Sequence, residues 1–199
     1  FNGACEFNMD SYFEYLEGLE YKPNNTLSNI SQIFIARGKN YLFFFDAGSP
    51  PKKKNSNSYQ AGPLSFEYFF DNYKVITNCG FGNKISKKAE LVSRLTSAQS
   101  TLCLNDSSVI KFEKNNLVNK TFGTSTMSSF KVFDFNIDED QNSVKVSARH
   151  DAYKNNFNYI HERKIEINKK NGNLLGDDNL ISENMGKKST DVYLSLIHI

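Results

Sequence analysis

The chain has 199 residues, of which 24 are Lys or Arg and 22 are Asp or Glu, so its formal net charge is +2. This balance excludes strong attraction to nucleic acid or to an anionic membrane as the basis of function. No apolar run reaches the roughly 18 residues that a membrane helix needs. Three widely spaced cysteines, Cys5, Cys79 and Cys103, match no zinc pattern, and the 17 Phe residues favour a sheet-rich core.

The chain begins with helical periodicity and changes to a period of two at residue 30. Apolar spacing predicts a helix over residues 5–20, followed by a turn-rich linker over 23–29, and residues 85–95 predict a short helix or a covering loop. Alternation and turn residues predict strands over residues 32–37, 40–47, 64–70, 73–78, 101–104, 109–112, 130–137, 143–149, 160–167 and 191–194.

Several strands have one apolar face. Phe133, Phe135 and Ile137 share a face in one predicted strand, and His161 and Arg163 share the apolar face of another. Asn171-Gly172 is a strong turn signal, and the acidic run at residues 138–140 is interpreted as a hairpin turn rather than a calcium loop. Many short strands at 8–12-residue spacing predict an all-β fold, an antiparallel β-sandwich.

Neither end of the sequence is expected to coincide with the natural end of a domain. Residue 1 is Phe rather than Met, and we expect either a missing upstream region or a processed terminus. Residues 194–199 match the translation of a common sequencing adapter, and we expect them to be an assembly scar rather than a strand end. The expected organisation is therefore residues 1–29, a domain over 30–193, and the scar.

Short segments along the chain together resemble the C-terminal domain of the heparinase II/III family, in a branch found in alphaproteobacteria. Each segment is weak alone, but their order and spacing extend over about 180 residues. The segments are Phe1-Asn2-Gly3-Ala4, Asp46-Ala47-Gly48-Ser49-Pro50-Pro51, Ala61-Gly62-Pro63-Leu64-Ser65-Phe66-Glu67, Asn78-Cys79-Gly80, Arg94-Leu95-Thr96-Ser97-Ala98-Gln99-Ser100-Thr101-Leu102, His150-Asp151-Ala152-Tyr153, His161-Glu162-Arg163 and Gly176-Asp177-Asp178-Asn179-Leu180.

The resemblance implies a polysaccharide lyase that acts on an acidic, uronic-acid-containing glycan in the periplasm or cell envelope of a bacterium. Members of the family combine an N-terminal α/α toroid with an antiparallel β-sandwich. Residues 1–29 would then be the tail of the toroid and a linker, and residues 30–193 the sandwich. The rest of the toroid, with the family's catalytic Tyr, would be a partner domain outside this chain.

Two residues depart from the family pattern at positions that bear on metal binding. Gln60 and Gln99 stand where the family usually has His, and in some members those histidines help to form a metal or catalytic site. Since Gln is a poor zinc ligand beside His or Cys, no zinc cofactor is expected here. The alternatives for Gln60 and Gln99 are hydrogen bonds to sugar hydroxyls or to a carboxylate, or drift in a decayed site.

A uronate lyase must neutralise a carboxylate, remove the α-proton and protonate the leaving oxygen. His150 and Tyr153 are the predicted catalytic pair, because they follow a strand end from which side chains can reach a cleft. The alternative is that His150 caps a turn and Tyr153 packs on the sandwich. His161 and Arg163 are predicted to bind the substrate carboxylate, the alternative being an internal ion pair with Glu67 or Asp46.

Arg94 is the last predicted substrate-binding residue, with a surface salt bridge as its alternative.

Three functions remain open from the sequence. The first is the β-domain of a lyase that cleaves by β-elimination. The second is a non-catalytic carbohydrate-binding or envelope module that has lost the metal-site histidines. The third is a fragment that has no activity without the toroid.

Overall fold

The structure is a computed structural model that describes residues 9–21, 29–30, 32–115, 119, 123–182 and 191–194. The helices are α1 (Met9–Gly18), α2 (Lys87–Val92) and α3 (Lys154–Phe157), with 3-10 turns at Lys53–Asn55, Gly82–Lys84 and Thr96–Ala98. The strands are β1 (Asn29–Ile30), β2 (Ile33–Arg37), β3 (Tyr41–Asp46), β4 (Phe66–Phe70), β5 (Tyr73–Ile76), β6 (Leu102–Leu104), β7 (Val132–Glu139), β8 (Ser143–His150), β9 (Tyr159–Asn168), β10 (Leu174–Ser182) and β11 (Val192–Leu194).

Two antiparallel sheets form the sandwich. One contains five strands in the order β1-β2-β3-β4-β5, and the other four strands in the order β10-β9-β8-β7. A small ribbon pairs β11 with β6. Since the neighbouring strands of each main sheet are also consecutive in sequence, each sheet is a meander, and the predicted antiparallel β-sandwich is confirmed.

The core lies between the inner faces of the two sheets. Phe43 and Phe45 of β3 are fully buried and belong to one apolar cluster with Val146 of β8 and with Ile165 and Ile167 of β9. Alternate residues of each strand build this cluster, because successive side chains point to opposite faces. Each such side chain contributes roughly 1.5–3 kcal/mol through burial, which makes the facing aromatics the main stabilising element of the sandwich.

The strand predictions are largely confirmed. The hairpins β2–β3 and β4–β5 lie where alternation predicted them, and α2 lies within residues 85–95. The predicted strand at 109–112 is wrong, because Phe112 makes only an isolated bridge to Thr126. Strand β10 was not predicted. The predicted helix matches α1, while residues 5–8, residues 23–28 of the predicted linker and residues 195–199 lie outside the described residues, and residue 29 belongs to β1.

One prediction about a strand face is wrong. The register between β7 and β8 shifts between Phe133 and Asn136, and Asp134 has a φ of +52°. This bulge inserts one residue, so Phe133 lies opposite Arg149 on the outer face while Phe135 packs against the core. Phe133 and Phe135 are therefore on different faces of the sheet, although they are two residues apart.

Both predicted turns are confirmed. Asp140 accepts hydrogen bonds from the backbone N–H groups of Asn142 and Ser143, so the acidic run closes the β7–β8 hairpin. Gly172 has a φ of +69° in the turn between β9 and β10, a conformation that favours glycine. Near the end of the described chain, Leu194 pairs with Leu102 across β11 and β6.

Candidate functional site

A cluster of four titratable side chains lies on the inner face of the four-stranded sheet. His150 ends β8 directly opposite His161 of β9, and Arg163 of β9 is opposite Asp178 of β10. The strand alternation puts all four on the side that packs against the other sheet. His150 and His161 have no exposed surface and Arg163 is 2% exposed, whereas the Asp178 side chain is 18% exposed, so the cluster reaches the surface only at Asp178.

The two histidines form a directed hydrogen-bond chain. The Ala152 N–H donates to His150 Nδ1 at 3.2 Å, His150 Nε2 is 2.9 Å from His161 Nδ1, and His161 Nε2 is 2.7 Å from Asp178 Oδ1. Since His150 Nδ1 must accept, we assign its proton to Nε2, and His161 then also carries its proton on Nε2. Both rings are therefore neutral, and every ring nitrogen has a partner.

Electrostatics supports the neutral assignment. Burial, together with the electrostatic influence of the neighbouring His161 ring and of the Arg163 guanidinium, holds the pKa of His150 well below its ordinary value. Burial also lowers the pKa of His161, although its hydrogen bond to Asp178 acts in the opposite direction. A charged imidazolium would be desolvated beside a guanidinium, which is unfavourable.

The charge of Arg163 is compensated inside the protein. Its Nε and Nη2 donate to the two oxygens of Asp178 at 2.7 and 2.8 Å, and Nη1 donates to the carbonyls of Leu64 and Ser100. Burial alone would raise the pKa of Asp178, but the hydrogen bonds from His161 and Arg163 outweigh it and hold that pKa well below its ordinary value. The expected internal ion pair is present, but its carboxylate is Asp178 rather than Glu67 or Asp46.

Tyr153 packs beside His150 and is 1% exposed, with 5.4 Å between the ring centroids. Its hydroxyl donates to the Leu102 carbonyl at 2.6 Å, and burial raises the pKa of the phenol far above its ordinary value. The hydroxyl is thus a neutral donor to backbone at every physiological pH. This geometry matches the alternative in which Tyr153 packs on the sandwich.

Gln60 and Gln99 meet at one backbone carbonyl. Gln99 Nε2 donates to the Ser93 oxygen at 2.7 Å, and Gln60 Nε2 lies 2.7 Å from the Gly80 oxygen and 3.4 Å from the same Ser93 oxygen. Both side chains are 2% exposed. The structure therefore brings together the two amides at positions where the resemblance implies His, although they are 39 residues apart in sequence.

These amides do not fit a zinc ion. An amide nitrogen has no lone pair to offer a metal, both Nε2 groups donate to carbonyl oxygens, and the remaining amide oxygen is a poor zinc ligand beside His or Cys. Within the part of the chain that the structure describes, no group of three or more His, Cys, Asp or Glu side chains is placed to hold a metal. We therefore derive no step of the chemistry through a metal.

Arg94 is fully buried rather than on the surface, so the alternative of a surface salt bridge is wrong. Its guanidinium donates to the carbonyls of Tyr59, Thr124 and Ser56 at 2.8–2.9 Å. Burial lowers its pKa to about 10, although Glu90 opposes the shift. Arg94 therefore ties three loop segments together and remains charged at neutral pH.

The predicted site residues form two groups, one around the histidines and one around the two glutamines, and the same two loops contact both groups. Arg163 bonds the carbonyls of Leu64 and Ser100, which lie in the two loops that also contain Gln60 and Gln99. Sequence reasoning missed Asp178, because it missed β10. The available signal was the Asn171-Gly172 turn, since a hairpin around it puts even-numbered residues of the next strand on the same face as Arg163.

The sequence model described as "Heparinase II/III-like, C-terminal" matches residues 27–199. Heparan sulfate lyase HepC from Pedobacter heparinus has a similar structure, with a TM-score of 0.61 at 17% identity, over 89% of this chain and 28% of that one. A HepC mutant gives 0.62 at 19% over the same shares, and a heparinase III, the BT4657 gene product, gives 0.59 at 18% over 87% and 25%. No curated protein sequence matches significantly.

The class of protein follows from the all-β sandwich and from the family match, which covers most of the chain. The chain belongs to the heparinase II/III-like family and corresponds to its C-terminal domain. It spans only about a quarter of the length of the solved lyases it resembles. Across the described residues, no helix has the length and apolar character needed to cross a membrane.

Proposed function

We propose that this chain is the β-sandwich part of a polysaccharide lyase that cleaves an acidic, uronic-acid-containing glycan by β-elimination. The observation that carries the proposal is the family match over residues 27–199, together with the structural likeness to heparan sulfate and heparin lyases. A helical toroid would form the other wall of the cleft, and the protein would act in the periplasm or cell envelope.

We propose further that His150 and Tyr153 position the cleft wall and do not touch the sugar. Both are at most 1% exposed, and each polar atom of the two rings already has a partner within the chain. A general base needs an accessible lone pair within hydrogen-bond reach of the proton that it removes. His150 Nδ1 instead accepts from the Ala152 N–H.

The cluster would act on the substrate through the loops that it fixes. His161 and Asp178 orient Arg163, and Arg163 binds the carbonyls of Leu64 and Ser100. Catalytic groups on a cleft wall must be held to within about half an ångström, which a buried and fully paired network achieves. In this proposal, Gln60 and Gln99 contribute in the same indirect way, by fixing the Ser93 and Gly80 backbone.

The lyase proposal is tested on the complete protein that contains this domain, with several uronate polymers as substrates. Cleavage by β-elimination produces unsaturated uronates that absorb in the ultraviolet, and absence of such products with every polymer would contradict the proposal. The variant His150→Asn, which keeps a donor and an acceptor, separates the two roles. A positioning residue predicts a loss of kcat below about 10-fold, whereas a general base predicts a loss of about 10²–10⁴-fold.

The second candidate is a non-catalytic carbohydrate-binding or envelope module. The observation that favours it is the pair of amides, Gln60 and Gln99, at positions where the family usually has His. This function predicts glycan binding that survives chelators and is not followed by cleavage. Uptake of zinc by a Gln60→His, Gln99→His double variant would support the loss of an ancestral metal site.

A further inference from the structure

A groove of about 350 Å³ lies at one end of the five-stranded sheet, where the turn of the β2–β3 hairpin meets the turn of the β4–β5 hairpin. We call it the hairpin groove. The loop that contains Gln60 leaves the opposite end of β3, so the length of this strand separates the groove from the two glutamines. The side chains that line the groove and matter here are those of Lys39, Asn40, Leu42, Phe69, Asp71 and Asn72.

The two hairpin turns are fixed relative to each other. The Asp71 N–H donates to the Asn40 carbonyl at 2.8 Å, which joins the tips of the two hairpins. Asp71 and Asn72 have φ values of +47° and +68°, as a tight two-residue hairpin turn requires. The register of β3 and β4 puts Leu42 opposite Phe69, so the apolar part of the wall is equally fixed. The groove is therefore formed before any ligand binds.

The polar side chains of the groove are accessible to a ligand. Lys39, Asn40, Asp71 and Asn72 are all exposed. Within the described part of the chain, none of these four side chains forms a hydrogen bond or an ion pair with another residue. Together they offer an ammonium, a carboxylate and two amides, which can donate to and accept from neighbouring oxygens of a sugar. A few polar groups around an apolar floor are typical of a small-molecule site.

Phe69 provides the apolar floor. The residue is half-buried on the outer face of β4, and Phe44 packs against it in a T-shaped contact with 6.2 Å between the ring centroids. This contact holds the Phe69 ring in position, and Leu42 extends the apolar surface beside it. The electron-rich face of an aromatic ring attracts the weakly positive C–H groups on the apolar face of a pyranose.

The charges around the floor favour an anionic ligand. Arg37 of β2 and Lys74 of β5 stand at the two ends of the cross-strand row that contains Phe69. Lys74 Nζ is 6.0 Å from the Phe69 ring centroid, within reach of a carboxylate on a stacked sugar. With Lys39, these cations outnumber the Asp71 carboxylate that lines the groove. An anionic sugar is therefore attracted more strongly than a neutral sugar of the same shape.

We propose that the hairpin groove binds one uronic acid ring of an acidic glycan, with the ring stacked on Phe69 and its carboxylate bound by Lys39 and Lys74. Asp71 and the two amides bind the ring hydroxyls. The site retains the glycan without cleaving it, at the end of the sheet opposite to the glutamine pair. The inference rests on the proposed function only for the class of glycan, because the groove is argued from its own side chains.

The test titrates the isotope-labelled 199-residue chain with methyl β-D-glucuronoside and with the neutral methyl β-D-glucoside, followed by NMR. We expect saturable binding of the glucuronoside with a Kd of about 1 mM, and binding of the glucoside that is about 10-fold weaker or more. Amide shifts should concentrate at residues 38–42 and 69–74. Neither compound carries a second sugar as a leaving group, so this binding is measured whether or not the complete protein is a lyase.

A charge variant tests the cations. The double variant Lys39→Gln, Lys74→Gln removes two exposed ammonium groups and should weaken glucuronoside binding about 10-fold. The matched control Lys111→Gln, Lys145→Gln removes the same charge from exposed positions outside the groove and should bind as the natural chain does.

A second variant tests the floor. Phe69→Leu keeps an apolar side chain without the aromatic face and should also weaken glucuronoside binding about 10-fold, with unfolding temperatures as the check that each variant is folded. The proposal is overturned if the glucuronoside shows no saturable binding, or if the glucoside binds as tightly. It is also overturned if the folded Lys39→Gln, Lys74→Gln variant keeps full affinity, or if the amide shifts are confined to another part of the chain.

Discussion

Acidification from pH 8 to pH 5.5 is expected to destabilise the protein through His150 and His161. Both rings have a lowered pKa in the folded chain, because they are buried beside Arg163, whereas in the unfolded chain each titrates near 6.5. Below pH 6.5 the unfolded state therefore binds more protons than the folded state. As far as these two histidines are concerned, the free energy of unfolding is constant well above pH 6.5 and falls as the pH decreases below that value.

The magnitude follows from the number of protons. Each neutral buried histidine lowers the free energy of unfolding by at most about 1.4 kcal/mol per pH unit, so the pair contributes at most about 2.7 kcal/mol per unit. The charged groups that act on the pair are Arg163, Asp178 and Glu162, and burial raises the pKa of Tyr153 beside His150 far above this pH range. The low pKa of Asp178 adds stability that is lost only at more acidic pH.

The assay is urea denaturation followed by far-ultraviolet circular dichroism at several pH values, since the chain has no Trp for fluorescence. His150→Asn should reduce the slope of stability against pH by up to about 1.4 kcal/mol per unit, because one titrating group is removed. An exposed substitution, Lys145→Gln, should leave the slope unchanged. Equal slopes in His150→Asn and in the natural chain would refute the neutral, buried pair.

Two further predictions use neighbouring residues as matched controls. Asp178→Asn should cost about 3–5 kcal/mol of unfolding free energy, because it leaves a buried guanidinium without its counterion, whereas the exposed Asp177→Asn should change it by less than about 0.5 kcal/mol. Gly172→Ala should cost about 2 kcal/mol or more, because φ is +69° and a Cβ would collide with Phe70, while Gly176→Ala, with open space around it, should be nearly neutral. The denaturant midpoints of the four variants measure these changes in stability. Equal losses for Asp178→Asn and Asp177→Asn would contradict the ion pair with Arg163, and equal losses for Gly172→Ala and Gly176→Ala would contradict the constrained turn at Gly172.

The fold was predictable because it depends on local periodicity. Alternation located most strands of both sheets, although it missed β10, and it placed His161 and Arg163 on the same face as Ile165 and Ile167. The failure at Phe133 has a specific cause, since a bulge adds one residue to β7 and reverses the faces without changing the pattern of residue types.

The site was less predictable, because its partners come from distant parts of the chain. The sequence determined that Arg163 points into the sandwich and therefore needs a buried partner. Only the tertiary structure decided that this partner is Asp178, because the register across the β9–β10 turn fixes which even-numbered residue lies opposite. The tertiary structure also decided that Gln60 and Gln99 meet at the Ser93 carbonyl, since contacts between loops follow no period that a sequence displays.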